Sequence, residues 1–267
     1  MKFQLDHDFH IHTQLSGCSN DPEQTPQRVL QYAKEYGLKT VVLTDHFWDE
    51  LVPGNFGWPG YEHISKWLPL PQEEGISFYF GGECDMNMAA TVGISRETAE
   101  KMDFIIIPTT HLHFPDRTIA AEEYDDADAR ARRYIERWEA VLNADLPFHK
   151  IGLAHMTCPL LSGGYDRIDF LIDILDSIPD DTFKSMFART EKLGIGVEIN
   201  VDTNPYTPDR LERILRVYRI AAECGCHFYC GTDAHHPRDF EYGHQNCLRM
   251  IDALDLQEEQ KFNPFNR

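Results

Sequence analysis

Seven β-rich runs, most followed by a helical pattern before the next, leave this 267-residue chain few ways to fold. The runs are Leu5 to His12, Thr40 to His46, Ile76 to Glu83, Asp103 to His111, Lys150 to His155, Gly194 to Asn200 and His227 to His235. Between them the pattern predicts helices at Pro26 to Tyr36, Arg96 to Lys101, Ala127 to Asn143, Asp169 to Leu175 with Asp181 to Leu193, and Pro208 to Cys224. Thr25 before Pro26 reads as a helix cap with proline in the first turn, and Gly37 as the stop; Thr207 and Pro208 repeat the device before a helix ending near Gly225. Strand alternating with helix at this spacing means parallel strands joined by crossovers. A closed or nearly closed barrel is favoured over an open doubly wound sheet, because no run carries a G-x-G-x-x-G turn. Barrels of this kind routinely use roughly 200 to 250 residues as one domain, so residues 1–267 are expected to form one.

Charge narrows the partners. Against 25 Lys and Arg stand 44 Asp and Glu, a formal net charge of −19, which repels nucleic acid and anionic membranes. The start, MKFQLDHDFHIH, lacks the apolar core of a secretion signal, so a cytoplasmic location is expected. The seven cysteines are then expected to be reduced, with Cys224, Cys226 and Cys230 read as small buried thiols. The acidic run Glu122 to Asp128 reads as a solvated helix start, and Trp48 to Pro71 as a long loop over the strand ends, a lid or packed surface.

What singles the chain out is where each run stops. With 13 His in 267 residues, His-x-His is expected by chance roughly 0.6 times, so His10/His12 and His111/His113 mean little alone. Yet all seven runs end in a metal-ligand type: His10 and His12, His46, Glu83, His111, His155, Glu198, and Asp233 with His235. In a parallel barrel these ends meet at one face, where such folds place their active sites. Imidazole with carboxylate suits zinc, iron or manganese, and a carboxylate can bridge two ions. More donors are present than one tetrahedral ion needs, which predicts a multinuclear site. Asp8 and Asp45 neighbour ligands and are candidates either to bind an ion themselves or to orient those ligands, and Glu198 is a candidate to orient ligands or substrate. His7, His113, His149, His227 and His244 are read as structural or surface residues.

Asp8-Phe9-His10-Ile11-His12, Thr44-Asp45-His46, Gly82-Glu83, the strand-end His111 and His155, and Gly231-Thr232-Asp233-Ala234-His235 stand in the order and spacing of the polymerase and histidinol phosphatase (PHP) family, which the chain resembles over essentially its whole length. The resemblance implies a distorted (β/α)7 barrel, TIM-like and built of parallel strands, with two or three divalent ions and phosphoesterase activity. It implies that His10, His12, Glu83 and Asp233 hold a first ion, Glu83, His111 and His155 a second, and His46 and His235 a third. Relatives of the histidinol phosphate type often carry another His eight residues after the first; here that place is Cys18, so either Cys18 or Asp21 is expected to complete the third ion.

The expected reaction is hydrolysis of a small phosphomonoester by a metal-bridging hydroxide. Asp233 can take the proton of the attacking water, His235 or His236 can protonate the leaving oxygen, and Arg117 and Arg238 are candidates either to clamp phosphate or to form surface ion pairs. Three other readings compete: a metal-dependent amide or lactone hydrolase, a nuclease acting on polynucleotide ends, and a non-catalytic scaffold. The acidity argues against the nuclease, and the nearly full ligand set against the scaffold.

Overall fold

The computed structural model describes residues 1–19 and 21–265. Its strands are β1 (His7–Ile11), β2 (Thr40–Leu43), β3 (His46–Phe47), β4 (Ser77–Cys84), β5 (Phe104–Ile107), β6 (Ile151–Leu153), β7 (Gly196–Ile199) and β8 (Phe228–Cys230). All the pairings between them are parallel and follow the path β1-β2-β4-β5-β6-β7-β8, with β3 paired to β4. The path nearly closes, because the chain just past β8 returns to β1: Asp233 N–H donates to the His10 carbonyl (2.8 Å) and His12 N–H to the Ala234 carbonyl (3.1 Å). This is the expected TIM-like barrel of seven principal strands. The second predicted strand is split, because at Thr44 and Asp45 the chain leaves β1 and continues against β4 alone as β3.

The helices are α1 (Pro26–Tyr36), α2 (Tyr61–Ile64), α3 (Arg96–Glu100), α4 (Ala127–Leu142), α5 (Ile168–Asp176), α6 (Asp180–Leu193), α7 (Pro208–Glu223) and α8 (Asp239–Ala253). Thr25 caps α1 by accepting from Arg28 N–H, and Gly37 ends it in the left-handed conformation. Asp126, within the acidic run, caps α4 in the same way. Thr207 differs: its side chain makes no cap bond, and only Pro208 marks the start of α7. The 48–71 segment is not wholly loop, since α2 lies within it, and α8 follows the last strand where no helix was predicted.

The ladder between β1 and β2 is irregular between Asp8 and Ile11. A bulge of this kind changes which face successive side chains take. Phe9 packs inside the barrel with Phe104 and Tyr229, Ile11 packs outward against Val29 and Ala33 of α1, and His10 and His12 both turn into the mouth. At the opposite end Phe262 and Phe265 of the C-terminal segment join Phe9 and Phe104, with Phe265 stacked on Tyr79 at 3.8 Å. The barrel is therefore closed below by aromatic packing and polar at its mouth. Among the described residues no helix is long and apolar enough to cross a membrane.

Candidate metal centre

Glu83, at the end of β4 and almost fully buried, is the hub of the mouth. Its Oε2 lies 3.3 Å from His10 Nε2 and 3.2 Å from both His12 Nε2 and His46 Nδ1; its Oε1 lies 3.2 Å from His155 Nε2 and 3.8 Å from His111 Nε2. Asp233 Oδ1 faces the same imidazoles, 3.3 Å from His10 Nε2 and 3.0 Å from His12 Nε2. Four donor groups can be drawn among the described residues: His10, His12, Glu83 and Asp233; Glu83, His111 and His155; His12, His46 and His235; and His10, His155 and Glu198. The first two are the first two sets suggested by the sequence; the third joins His46 and His235 with His12, and holds neither Cys18 nor Asp21.

These donors suit metal. Zinc bonds of roughly 2.0 to 2.1 Å in a tetrahedron separate the donor atoms by about 3.3 Å, close to the 3.0 to 3.3 Å found among His10, His12, Glu83 and Asp233. Burial alone would raise the Glu83 carboxyl, yet the imidazoles of His46 and His10 hold it well below the usual carboxylate range. Asp233 is held low against burial by His10 and His12 in the same way. Burial would lower His12, but hydrogen bonds to Asp233 and Glu83 push it up to about 9. Buried carboxylates this crowded need cations beside them, and protons or metal ions can fill that need.

Most of the imidazoles are oriented from behind. His10 Nδ1 lies 2.8 Å from Glu198 Oε1, whose other oxygen accepts from His155 N–H at 2.6 Å. Asp45 accepts from Glu83 N–H through its carbonyl (3.1 Å), and its carboxylate reaches a ligand side chain only through a relay. It accepts from Ser16 Oγ (2.7 Å), and Ser16 Oγ in turn meets His12 Nδ1 at 3.0 Å. Asp85 meets His111 Nδ1 at 3.2 Å, Thr110 Oγ1 meets His155 Nδ1 at 3.0 Å, and the Asp233 carbonyl meets His235 Nδ1 at 2.8 Å. Glu198, Asp85 and the Asp233 carbonyl accept, and Ser16 already donates to Asp45, so these four bonds fix Nδ1 as the donor and leave Nε2 for the centre, whereas the Thr110 hydroxyl can either donate to or accept from His155 Nδ1. Asp8 does something else: it accepts from Thr232 N–H, Thr232 Oγ1 and His10 N–H, tying β1 to the end of β8. Asp85, Ser16 and Thr110 were not anticipated; the only signal in the sequence was Asp85 two residues beyond Glu83.

Two site residues, His155 (φ 26°) and Asp233 (φ 55°), have left-handed backbones without being glycine. Such conformations cost on the order of 1 kcal/mol each and persist where the surroundings hold them. Here the Glu198 carboxylate and the His10 carbonyl anchor the two N–H groups.

Cys18 joins the edge of the centre, with Sγ 2.9 Å from His235 Nε2. Asp21 does not: its carboxylate pairs with His236 Nδ1 at 3.5 Å. Neither predicted arginine contacts a donor of the centre among the described residues. Arg117 is exposed and donates to the Phe56 carbonyl, while Arg238 is 80% exposed and 3.8 Å from Asp239. Cys226 and Cys230 are buried thiols as expected, whereas Cys224 is partly exposed; none of the three belongs to a donor group among the described residues.

Beside Asp233 and His155 opens a cavity of about 370 Å³ walled by Cys158, Tyr165, Tyr206 and Tyr242, with no Lys or Arg among its described lining residues. Two solved structures share the architecture over nearly the whole chain. One is a histidinol phosphate phosphatase from Lactococcus lactis subsp. lactis Il1403 in complex with zinc, L-histidinol and phosphate: TM-score 0.62, 15% identity, 97% of this chain and 99% of that one covered. The other is a candidate histidinol phosphatase from Listeria monocytogenes, at TM-score 0.59 and 16% identity, covering 90% and 98%. At this identity the likeness is one of fold. No family model and no curated protein sequence matches the chain.

Proposed function

We propose that the protein is a metal-dependent hydrolase of small phosphomonoesters, a histidinol-phosphatase-like member of the PHP family working with two or three ions of zinc, iron or manganese. The observation that carries this reading is Glu83, whose two oxygens face separate sets of imidazoles across a buried mouth. Glu83 is the shared ligand; His10, His12 and Asp233 complete one set and His111 and His155 another, with His46, His235 and Cys18 serving a third. Divalent ions held there supply positive charge for phosphoryl oxygens and acidify a water toward a pKa of about 7.

The chain's own groups supply proton transfer and shape. Asp233 is the one carboxylate of the cluster with an appreciably exposed side chain, 27%, and it lines the cavity, so it is placed to take a proton from an attacking water. His235 has Nδ1 fixed as a donor by the Asp233 carbonyl, so its neutral ring would offer the Nε2 lone pair as a ligand in a three-ion form, and only as the imidazolium would it carry on Nε2 a proton for the leaving oxygen in a two-ion form. The tyrosine-walled cavity receives the alcohol portion of the ester. The absence of Lys and Arg among its described lining residues favours one rival, a hydrolase of uncharged amides or lactones, because phosphate there would depend chiefly on the ions for positive charge.

Elemental analysis of protein never exposed to chelator, with a hydrolysis screen of phosphomonoesters, amides and lactones, tests the proposal. Two to three equivalents of metal and turnover of phosphomonoesters are expected. Less than half an equivalent with no activity after reloading overturns the metal reading; turnover of a lactone or amide alone overturns the phosphatase reading.

A further inference from the structure

Five of the six imidazoles at the mouth are oriented by a hydrogen bond from the ring nitrogen that faces away from the cluster: His10, His12, His111, His155 and His235. His46 is the exception. Its Nδ1 faces the cluster, 3.2 Å from Glu83 Oε2 without a hydrogen bond, and among the described residues no hydrogen bond to its other ring nitrogen, Nε2, is found either. Two rings hold it instead. Trp58 stacks on His46 with centroids 4.4 Å apart and planes 21° from parallel, and His12 stacks on it at 4.6 Å and 30°. His46 is thus held by ring packing on two neighbours rather than by a hydrogen bond.

Trp58 is itself held in place from its backbone. Asn55 Oδ1 accepts from Trp58 N–H at 2.9 Å, and Asn55 Nδ2 donates to the Trp58 carbonyl at 2.9 Å. The indole N–H is buried without a partner, so no side-chain hydrogen bond sets the ring, and its edge-on packing with Phe56 helps to fix it. A stacked aromatic pair and a net hydrogen bond are of comparable worth, so stacking can orient a ligand that lacks the bond.

We propose that Trp58 is the positioning residue for His46: the indole face does for this imidazole what a hydrogen bond does for the other five. The loop that carries Trp58 thereby sets how tightly the ion on the His46 side is held. This inference rests on the metal-centre reading above, and the experiment separates the two.

Full-length wild type, Trp58→Leu, Trp58→Phe and Asn55→Ala are stripped of metal and titrated with cobalt, following each ion by calorimetry and absorption, with melting curves as a control on folding. Wild type is expected to bind at least two ions; if it binds none, the metal centre and this inference both fall. Trp58→Leu should weaken one ion by about tenfold, the low end of the effect of losing an orienting partner, and leave the others as in wild type. Trp58→Phe, which keeps a stacking face, should restore that ion to within about threefold. Asn55→Ala leaves the indole intact and should weaken the same ion by a smaller factor. Unchanged binding of every ion in Trp58→Leu, equal weakening of all ions, or a Phe variant as poor as the Leu variant overturns the positioning role while leaving the metal centre standing.

Discussion

Replacing Glu198 with Gln tests how much of the centre is built from behind the ligands. The carboxylate accepts on both oxygens, from His155 N–H at 2.6 Å and from His10 Nδ1 at 2.8 Å, in a fully buried position. An amide has one oxygen and one NH2, so it cannot accept from both. If its oxygen serves His155, its NH2 faces His10 Nδ1 and drives the proton to Nε2, the nitrogen aimed at Glu83 and Asp233. If its oxygen serves His10, NH2 and backbone N–H confront each other, and a buried donor goes unpaired at about 1 to 3 kcal/mol. Since 1.4 kcal/mol is a factor of ten, this matches the roughly 10- to 100-fold loss of metal affinity expected when an orienting partner is lost. Competition with a calibrated chelator measures the affinity, and kcat at saturating metal should largely recover. Wild-type affinity in a folded Glu198→Gln protein would refute the reasoning. Gly231→Ala should act alike from the other side, because a Cβ there would sit 2.0 Å from Glu198 Oε1 and 2.5 Å from His10 Cβ.

Three further outcomes are expected. Glu83→Gln should lower kcat by several orders of magnitude and bind fewer ions than any other single ligand variant; a folded variant with wild-type metal content would end the shared-ligand assignment. Cys18→Ala should abolish the thiolate charge-transfer band of the cobalt form while Asp21→Ala leaves it, because only Cys18 reaches His235; a band that survives Cys18→Ala, or a wild type that shows none, removes the thiol from the centre. Burial holds His7 below its ordinary value of 6.5, and its Nε2 accepts from Cys230 N–H, a bond that protonation breaks. The unfolded chain therefore binds the extra proton first as pH falls, so this stability is full above about pH 6.5 and is lost as pH drops through the folded-state value. A His7→Gln variant should lose less Tm between pH 7 and pH 5 than wild type; equal losses would show that His7 contributes nothing to acid sensitivity.

The sequence by itself determined the parallel barrel and the face on which chemistry is concentrated, because strand and helix periodicities are local and every run ends in a ligand type. It also marked His10, His12, Glu83, His111, His155 and Asp233 as one set, since a barrel brings strand ends together whatever lies between them. Helix α8 escaped notice because Gly243 and Asn246 interrupt its apolar face, and it forms by packing against the barrel, with Gly243 pressed on Thr232. Only the tertiary structure decided the pairings behind the ligands. Glu198 meets His10 across 188 positions, Asp85 meets His111 across 26, and Trp58 covers His46 from a loop whose path no local pattern encodes. The same holds for Arg117, Arg238 and Asp21, which stand near ligands in sequence but find other partners. Proximity along the chain fixes a backbone neighbourhood; the direction of a side chain is settled by which neighbours fill its space. Even the opposite aims of Phe9 and Ile11, two positions apart on β1, go with an irregularity in the β1–β2 ladder, formed where the two strands meet and invisible in either strand alone.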